Sequence, residues 1–263
     1  MKPYSTSARE DRYRVAGPER PRQLFVSGLE HRYVEGVTFR GRAAYVEAAE
    51  TVVIADIHLG RGEASDVEFP LGEESDLCGR LADLCTALDP ETVVVGGDVL
   101  HTFGWTTDAA ADSLRSLTRV CRDAGARPVL VAGNHDTVLA EAFAGDVHDH
   151  YWVDEDTLVC HGHDEPDPTA QRYIVGHDHP AIEIEGVRHP CFLYGDGAYD
   201  GQDLLILPAF SRLAAGVEVN RMYAADFQSP LVTDSDPLQP IVWDGDRGET
   251  LRFPRLSQFR QML

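Results

Sequence analysis

Three short apolar runs, each followed directly by polar residues, constrain the fold of this chain more than any other feature. Runs of this kind are typical of strands that are buried on both faces of a sheet. The runs cover residues 51–55, 92–95 and 128–132. The first two are separated by a helical stripe of Leu77, Leu81, Leu84 and Leu88. A second helix is predicted within residues 107–124, ended by Gly125. The order β-α-β-α-β therefore predicts a parallel sheet covered by helices.

The second half of the chain has a different pattern. Its apolar runs leave little room for helices between them, and glycine-containing turns separate them. A second sheet that packs against the first is therefore predicted. The strand-like runs are residues 157–160, 173–175, 181–185, 187–194 and 204–207, and a β-rich stretch is also predicted over 24–45.

The N-terminal residues 1–22 differ from the rest in composition. They hold six basic residues, three acidic residues and three prolines, with almost no apolar periodicity. We predict a flexible N-terminal extension over 1–22 and a single domain over 23–263. The extension is either an arm that contacts nucleic acid or a segment without such a role.

The charge of the chain points to its solvent. The net charge is -21 over 263 residues, and Lys2 is the only lysine among 23 basic residues. A carboxylate-rich, lysine-poor surface suits a halophilic protein, with an acidic protein of ordinary salt as the alternative. At about 1 M salt the Debye length is only about 3 Å, so this charge does not exclude a nucleic-acid substrate. Five cysteines without a CxxC pair and the lack of an apolar leader or long apolar run predict a cytoplasmic location without membrane contact.

Polar residues suited to metal binding follow the strands. Functional groups in parallel α/β sheets gather beyond the carboxyl ends of the strands. Alone, Asp-x-His and Gly-Asp are weak evidence, because both also occur in solvated turns. Gly-Asn-His-Asp directly after a buried run is a stronger signal, and His-x-His has metal-ligand spacing, with exposed strand histidines as the alternative. The clusters are Asp56-Ile-His58, Gly97-Asp98, Gly133-Asn134-His135-Asp136, His161-Gly-His163 and Gly176-His177-Asp178-His179.

In this order, the clusters resemble the motif set of the calcineurin-like metallophosphoesterases, over roughly residues 51–210. The resemblance implies an α/β fold of the four-layer α-β-β-α sandwich type and two divalent metal ions that share Asp98. Oxygen and imidazole donors without a thiolate suit Mn²⁺, with Fe and Zn²⁺ as alternatives. The implied ligands are Asp56, His58, Asp98 and His179 for the first ion, and Asp98, Asn134, His161 and His177 for the second.

The same resemblance implies catalytic roles for three further residues. His135 would protonate the leaving oxygen or bind the phosphate, and Asp136 would orient His135. His101 follows Asp98 by three residues, as in SbcD-type nuclease subunits, and would assist at the phosphate or serve only a structural role. The stretches 55–60 and 207–210 are similar to archaeal SbcD-related phosphoesterases. Since only 84 residues follow His179, a large capping domain and an ATPase-docking segment are expected to be absent.

The implied activity is hydrolysis of phosphodiester bonds, with DNA as a candidate substrate, by attack of a metal-bridged hydroxide. A phosphatase or phosphodiesterase for small nucleotides or metabolites would use the same site. A non-catalytic scaffold is the third reading, but scaffold members are expected to have lost ligands and none is lost here. Beyond a phosphoester substrate, the sequence predicts no particular protein partner. Arginines near the motifs are candidates for phosphate contact or for surface ion pairs: Arg61, Arg172 and Arg212.

Overall fold

The computed structural model describes residues 33–61, 72–101, 106–143 and 145–262. The predicted extension over 1–22 lies outside these residues, and so does the part of the predicted β-rich stretch before residue 33. The domain boundaries therefore stay a prediction.

The first sheet forms around the three apolar runs at the start of the motif region. Its three central strands are parallel, and every residue of β3 (Thr51–Ile54) and β4 (Thr92–Gly96) is buried, as the apolar runs predict. Two antiparallel strands extend the sheet on one side and one short parallel strand extends it on the other. In spatial order the strands are β1 Val37–Arg40, β2 Ala43–Val46, β3 Thr51–Ile54, β4 Thr92–Gly96, β5 Arg127–Val131 and β6 Val147–His148.

Both predicted helices are present and pack on this sheet. Helix α1, Glu73–Leu88, buries Leu77, Leu81 and Leu84 of the predicted stripe. Helix α2, Asp108–Asp123, begins where the Thr107 hydroxyl accepts a hydrogen bond of 3.0 Å from the Ala110 amide. This bond satisfies one of the amides that a helix start leaves without a partner. A single turn, α3 Leu139–Ala142, follows β5.

The second predicted sheet is also present. Its three central strands are parallel, and the others are antiparallel. The central strands are β8 (Thr157–Cys160), β9 (Arg172–Val175) and β13 (Gln202–Ile206). In spatial order the strands are β16 Glu249–Arg252, β15 Gln239–Asp244, β12 Phe192–Tyr199, β13 Gln202–Ile206, β9 Arg172–Val175, β8 Thr157–Cys160 and β7 His150–Trp152.

The prediction of one strand across 187–194 is wrong. The chain forms two strands there, because residues 187–190 pair with residues 181–184, whereas the chain from Phe192 onward pairs with β13 and β15. The amide of the buried Cys191 still donates to the Pro180 carbonyl at 3.0 Å, at the end of the first pairing. The first piece joins a small third sheet and the second piece is β12. The third sheet consists of β10 Pro180–Ile184, β11 Val187–Pro190 and β14 Val217–Glu218.

Side-chain alternation along the strands builds the layers. Val52 and Ile54 face the cluster that contains α1 and α2, whereas Val53 and Ala55 belong to the cluster between the two sheets. The outer face of the second sheet is covered by a third cluster that includes α4, Leu256–Met262. The order helices, sheet, sheet and outer layer confirms the predicted α/β sandwich. No helix in the described part of the chain is long and apolar enough to cross a membrane.

We predict that Thr107→Ala destabilises the protein by about 1 kcal/mol, because the first turn of α2 loses its side-chain cap. Thr107→Ser is the matched control, since serine keeps the accepting oxygen. Urea unfolding at one salt concentration compares the three proteins. Equal stability of Thr107→Ala and wild type would contradict the role of the cap.

Candidate metal centre

The strand ends bring the predicted metal ligands to one place. Backbone hydrogen bonds continue past the strands and join their ends: the Asp56 amide donates to the Gly97 carbonyl at 3.1 Å, and the Gly176 amide donates to the His161 carbonyl at 3.1 Å. Among the described residues, two groups of side chains have ligand atoms within 4.8 Å of one another. The groups are Asp56, His58 and His179, and Asp56, Asp98 and His161.

The first group surrounds the fully buried Asp56. Its Oδ1 lies 3.3 Å from His179 Nε2, which in turn lies 3.3 Å from His58 Nε2. His58 Nδ1 is 3.9 Å from Asp98 Oδ2 and makes no hydrogen bond, although it is buried. A buried nitrogen without a hydrogen bond normally carries a cost, and a cation at this position would remove it. The donor set therefore fits a divalent metal.

The second group surrounds the ring of His161. Its Nε2 lies 3.0 Å from Asn134 Oδ1, 3.1 Å from His177 Nδ1 and 3.3 Å from Asp98 Oδ1. The residues predicted for the second ion thus lie around one imidazole. Asp56 belongs to both groups, and Asp98 approaches both His58 and His161. Asp98 as the shared carboxylate stays a prediction.

Burial sets the protonation of this cluster. It lowers the pKa of His58 to about 3 and that of His161 to about 4, so both rings are neutral near pH 7 and can offer a lone pair. Burial, together with the nearby Asp56 charge, raises the pKa of Asp98 to about 7. Burial alone would also raise the pKa of Asp56, but its hydrogen bond with His179 and the surrounding histidines lower it. Two carboxylates this deeply buried repel each other, and a cation between them would offset that repulsion.

The backbone is strained at the ligands themselves. Left-handed φ values are uncommon outside glycine, and strained residues are often found at functional sites. In this protein they occur at five predicted ligands, where they turn the side chains toward a common centre. The residues are Asp56 (φ 56°), His58 (46°), Asp98 (46°), His177 (70°) and His179 (47°).

Glycines precede three of the ligands because there is no room for a side chain. A Cβ at Gly133 would lie 2.3 Å from Asp98 Oδ1, and one at Gly176 would lie 2.5 Å from Asp56 Oδ2. At Gly97 a Cβ would lie 2.3 Å from His161 Nδ1. The glycines therefore allow the backbone to approach the ligands of the neighbouring strands closely.

The predicted catalytic residues lie beside the cluster. His135 Nε2 is 3.8 Å from Asp98 Oδ2, and its Nδ1 is 3.0 Å from the His101 carbonyl oxygen. The rings of His101 and His135 are stacked, with centroids 6.1 Å apart. His101 and His135 thus occupy one side of the metal centre.

The carboxylate of Asp136 holds three backbone amides. It is buried and accepts hydrogen bonds from the amides of Val99 at 3.0 Å, Leu100 at 2.8 Å and Gly133 at 2.8 Å. These bonds fix the two loops that carry Asp98 and His135. The His135 ring is close to the His101 carbonyl oxygen, which accepts a hydrogen bond from its Nδ1. Asp136 therefore positions loops, and its predicted contribution to catalysis is not tested by these contacts.

Sequence reasoning assigned no role to His163. Its ring lies 5.2 Å from the His161 ring and 6.2 Å from the His177 ring, and its buried Nδ1 has no hydrogen bond. The His-x-His spacing of residues 161 and 163 is the sequence signal that places His163 near the metal centre. Asp178, between two predicted ligands, accepts hydrogen bonds from the Gln228 and Ser229 amides and so anchors a distant loop.

The three arginines near the motifs have separate surroundings. The Arg61 amide donates to the His58 carbonyl, which keeps Arg61 beside the cluster. Arg172 lies at the start of β9, near Asp203, at the opposite end of the strand from His177. Arg212 pairs with Asp76 at 2.8 Å. Contact of Arg172 with a phosphate at the metal centre is therefore not supported.

The chain is similar to a known protein family and to solved structures. The family model described as calcineurin-like phosphoesterase matches residues 50–197. A crystal structure of the nuclease MPE of Pseudomonas putida is 24% identical, with a TM-score of 0.57 over 81% of this chain and 92% of that one. Yfce, a phosphoesterase from E. coli, is 14% identical, with a TM-score of 0.40 over 78% of this chain and 98% of that one. No curated protein matches the chain.

We predict that Mn²⁺ raises the melting temperature of the metal-free protein, because the cation relieves the repulsion within the buried carboxylate pair. His161→Ala should lose most of this rise, since His161 contacts Asn134, His177 and Asp98. The control is His189→Ala, on β11 and outside the metal centre. Differential scanning calorimetry measures the shift. An unchanged Mn²⁺ effect in His161→Ala would exclude His161 as a ligand.

We also predict that Gly133→Ala weakens Mn²⁺ binding at least tenfold, because the new methyl group would displace Asp98. Gly79→Ala is the control: it lies within α1, where nothing lies within 4 Å of the added Cβ. Gly79→Ala should keep the metal affinity and stabilise the fold by about 0.5–1 kcal/mol. Isothermal titration calorimetry compares the affinities, and equal affinity in both variants would refute the steric argument.

Proposed function

The chain belongs to the calcineurin-like phosphoesterase family, and we propose that it is a two-metal, manganese-dependent phosphodiesterase that cleaves DNA. The binding of two metal ions is supported by the two ligand groups, which share Asp56. Each group supplies carboxylate and imidazole donors, and every ligand position implied by the family motifs is occupied by a competent residue.

The chain's own residues hold and orient the reactants. The ions would be held by Asp56, His58, Asp98, Asn134, His161, His177 and His179. When bound, such ions activate a water and neutralise charge that develops on a phosphate. The strained backbone and the glycines fix the ligands before substrate arrives, so little reorganisation is needed during the reaction.

His135 is the proposed proton donor to the leaving oxygen. A carbonyl oxygen only accepts hydrogen bonds, so the His101 carbonyl holds the His135 proton on Nδ1. Nε2 is then the atom that exchanges a proton with a substrate or binds its phosphate. The His135 side chain is 23% exposed, in contrast to 0% for His161, and is therefore accessible to a substrate.

The finer assignment to the archaeal SbcD-related branch rests on the stretches 55–60 and 207–210, and the likeness to SbcD-type nuclease subunits rests on His101. The surroundings of His101 support a role at the phosphate. Its ring stacks on His135 and lies 5.8 Å from the His58 ring, which suits a residue that assists at the phosphate. The Pseudomonas putida protein is described as a nuclease; at 24% identity that likeness concerns the fold, and DNA cleavage is our proposal for this chain. The carboxylate-rich, lysine-poor composition supports a halophilic protein, so concentrated KCl is the appropriate assay medium.

Turnover with Mn²⁺ in concentrated KCl tests the substrate class. We expect hydrolysis of bis-(p-nitrophenyl) phosphate and of single-stranded DNA, and weaker hydrolysis of p-nitrophenyl phosphate. Cleavage of the monoester alone would replace the nuclease by a phosphatase for small metabolites. Two bound metals without any hydrolysis would favour a scaffold.

We predict that His135→Ala lowers kcat by roughly 10²–10⁴-fold, the usual contribution of general acid–base catalysis. The Mn²⁺-induced rise in melting temperature should remain, because His135 is not among the proposed ligands. His189→Ala again serves as the control. Wild-type turnover in His135→Ala would remove this residue from the mechanism.

A further inference from the structure

A cavity of about 460 Å³ lies outside the metal centre. Its walls come from the β1–β2 turn, α1, the end of β11 at Pro190, the segment after β13 and the β15–β16 turn, and none of the proposed metal ligands lines it. A volume of this size is within the range of small-molecule sites. Nothing in the proposed hydrolysis uses this cavity.

The cavity concentrates positive charge in a strongly acidic chain. Four arginines line it: Arg40, Arg42, Arg80 and Arg212. Asp76 accepts hydrogen bonds from Arg80 at 2.9 Å and from Arg212 at 2.8 Å, so each of its oxygens is already used. Among the described residues, no carboxylate forms an ion pair with Arg40 or Arg42. The lining also includes one acidic residue, Asp83, and positive charge remains in excess.

Arg42 is built into the wall of the cavity. Its Nη1 donates to the carbonyl oxygens of Ala209 at 2.9 Å and Ser211 at 2.7 Å. These are the hydrogen bonds described for its side chain, so the Nε and Nη2 donors remain for a ligand. Burial, followed by the charges of Arg80 and Arg212, lowers the pKa of Arg42 to about 10. A bound anion would offset both effects.

Aromatic rings accompany the arginines. The Arg80 guanidinium lies over the Phe210 ring at 4.1 Å from its centroid, and the Arg40 guanidinium lies 5.8 Å from the centroid of Trp243. Phe210 is buried, whereas Trp243 is only half-buried and lines the cavity. Planar guanidinium and indole groups offer stacking surfaces to a nucleobase. The lining thus combines donors for a phosphate with a surface for an aromatic base.

We propose that this cavity is a second phosphate site, which takes a nucleoside monophosphate unit either as a free nucleotide or as one nucleotide of a single strand. The wall is connected to the metal centre through the backbone: the Phe210 amide donates to the Ala55 carbonyl at 2.8 Å, and the Ser211 amide donates to the Asp56 carbonyl at 3.2 Å. This proposal rests on the chemistry of the cavity and not on the proposed hydrolysis. Nucleotide binding in the cavity and hydrolysis at the metal centre can therefore fail independently of each other.

Binding to the full chain in EDTA tests the site without metal or turnover. The probes are adenosine monophosphate, inorganic phosphate and a 5′-phosphorylated oligothymidylate, measured by isothermal titration calorimetry. Arg212→Ala alters a side chain that is 63% exposed, so it leaves the core unchanged. Trp243→Leu removes the stacking surface. Arg115→Ala is the matched control, because Arg115 is 60% exposed on α2 and does not line the cavity.

We expect adenosine monophosphate to bind more tightly than inorganic phosphate, and we expect Arg212→Ala and the double variant Arg40→Ala/Arg212→Ala to weaken it by roughly tenfold or more. Trp243→Leu should reduce the preference for the nucleotide, and Arg115→Ala should bind as wild type does. Binding of the oligonucleotide as well identifies a strand as the source, whereas binding of the mononucleotide alone identifies a free nucleotide. No binding of any probe, or equal losses in Arg115→Ala, would overturn the proposal. Retained binding in His177→Ala, together with lost hydrolysis, would separate this site from the metal centre.

Discussion

Two carboxylates that share one buried site impose the constraint on which the rest of this structure depends. Asp56 and Asp98 lie at the ends of neighbouring parallel strands, and each is almost fully buried. Their carboxylates also accept backbone hydrogen bonds from other strand ends, from the His177 amide to Asp56 and from the His135 amide to Asp98. The same oxygens that fit a metal therefore link the two sheets and the loop after β5. This dual use explains why the glycines at 97, 133 and 176 are needed, since any side chain there would separate the carboxylates from their partners.

The supporting residues act on the backbone more than on the ligands' side chains. Asp136 accepts three amide hydrogen bonds, and Asp178 fixes the loop at Gln228 and Ser229. The left-handed φ values at five predicted ligands are maintained by these surroundings. Strain of this kind persists only where neighbouring contacts determine the conformation, so the stability of the sandwich is what keeps the ligands in place.

The sequence predicted that these Asp and His side chains lie close together, because a strand end is a local feature. An apolar run followed by Asp-x-His or Gly-Asn-His places those side chains at one edge of the sheet, independently of the conformation of the loops. The two helices were also predicted from local features. The leucine spacing indicated the first helix, and the pattern within residues 107–124 indicated the second. The break near Cys191 could not be predicted, because residues 187–194 read as one strand and only a partner in a third sheet divides them. The hydrogen bonds of Asp136 to Val99 and Leu100 join residues 37 and 36 positions apart, and no spacing rule encodes them. The arginine-lined cavity was missed likewise, since its residues come from five separate segments.

The overall charge of the chain and the charge at its proposed sites have opposite signs. A net charge of -21 would repel a phosphate at long range in dilute salt, but that repulsion is screened when the Debye length is only a few ångströms. What then governs binding is the field within a few ångströms of the phosphate. Divalent ions would supply a positive field at Asp56 and Asp98, and Arg40 and Arg42, which have no carboxylate partner among the described residues, supply one in the cavity. An acidic surface and a phosphate-binding interior are thus compatible in one chain, provided that the positive charges are fixed in place, as Arg42 is by the carbonyls of Ala209 and Ser211.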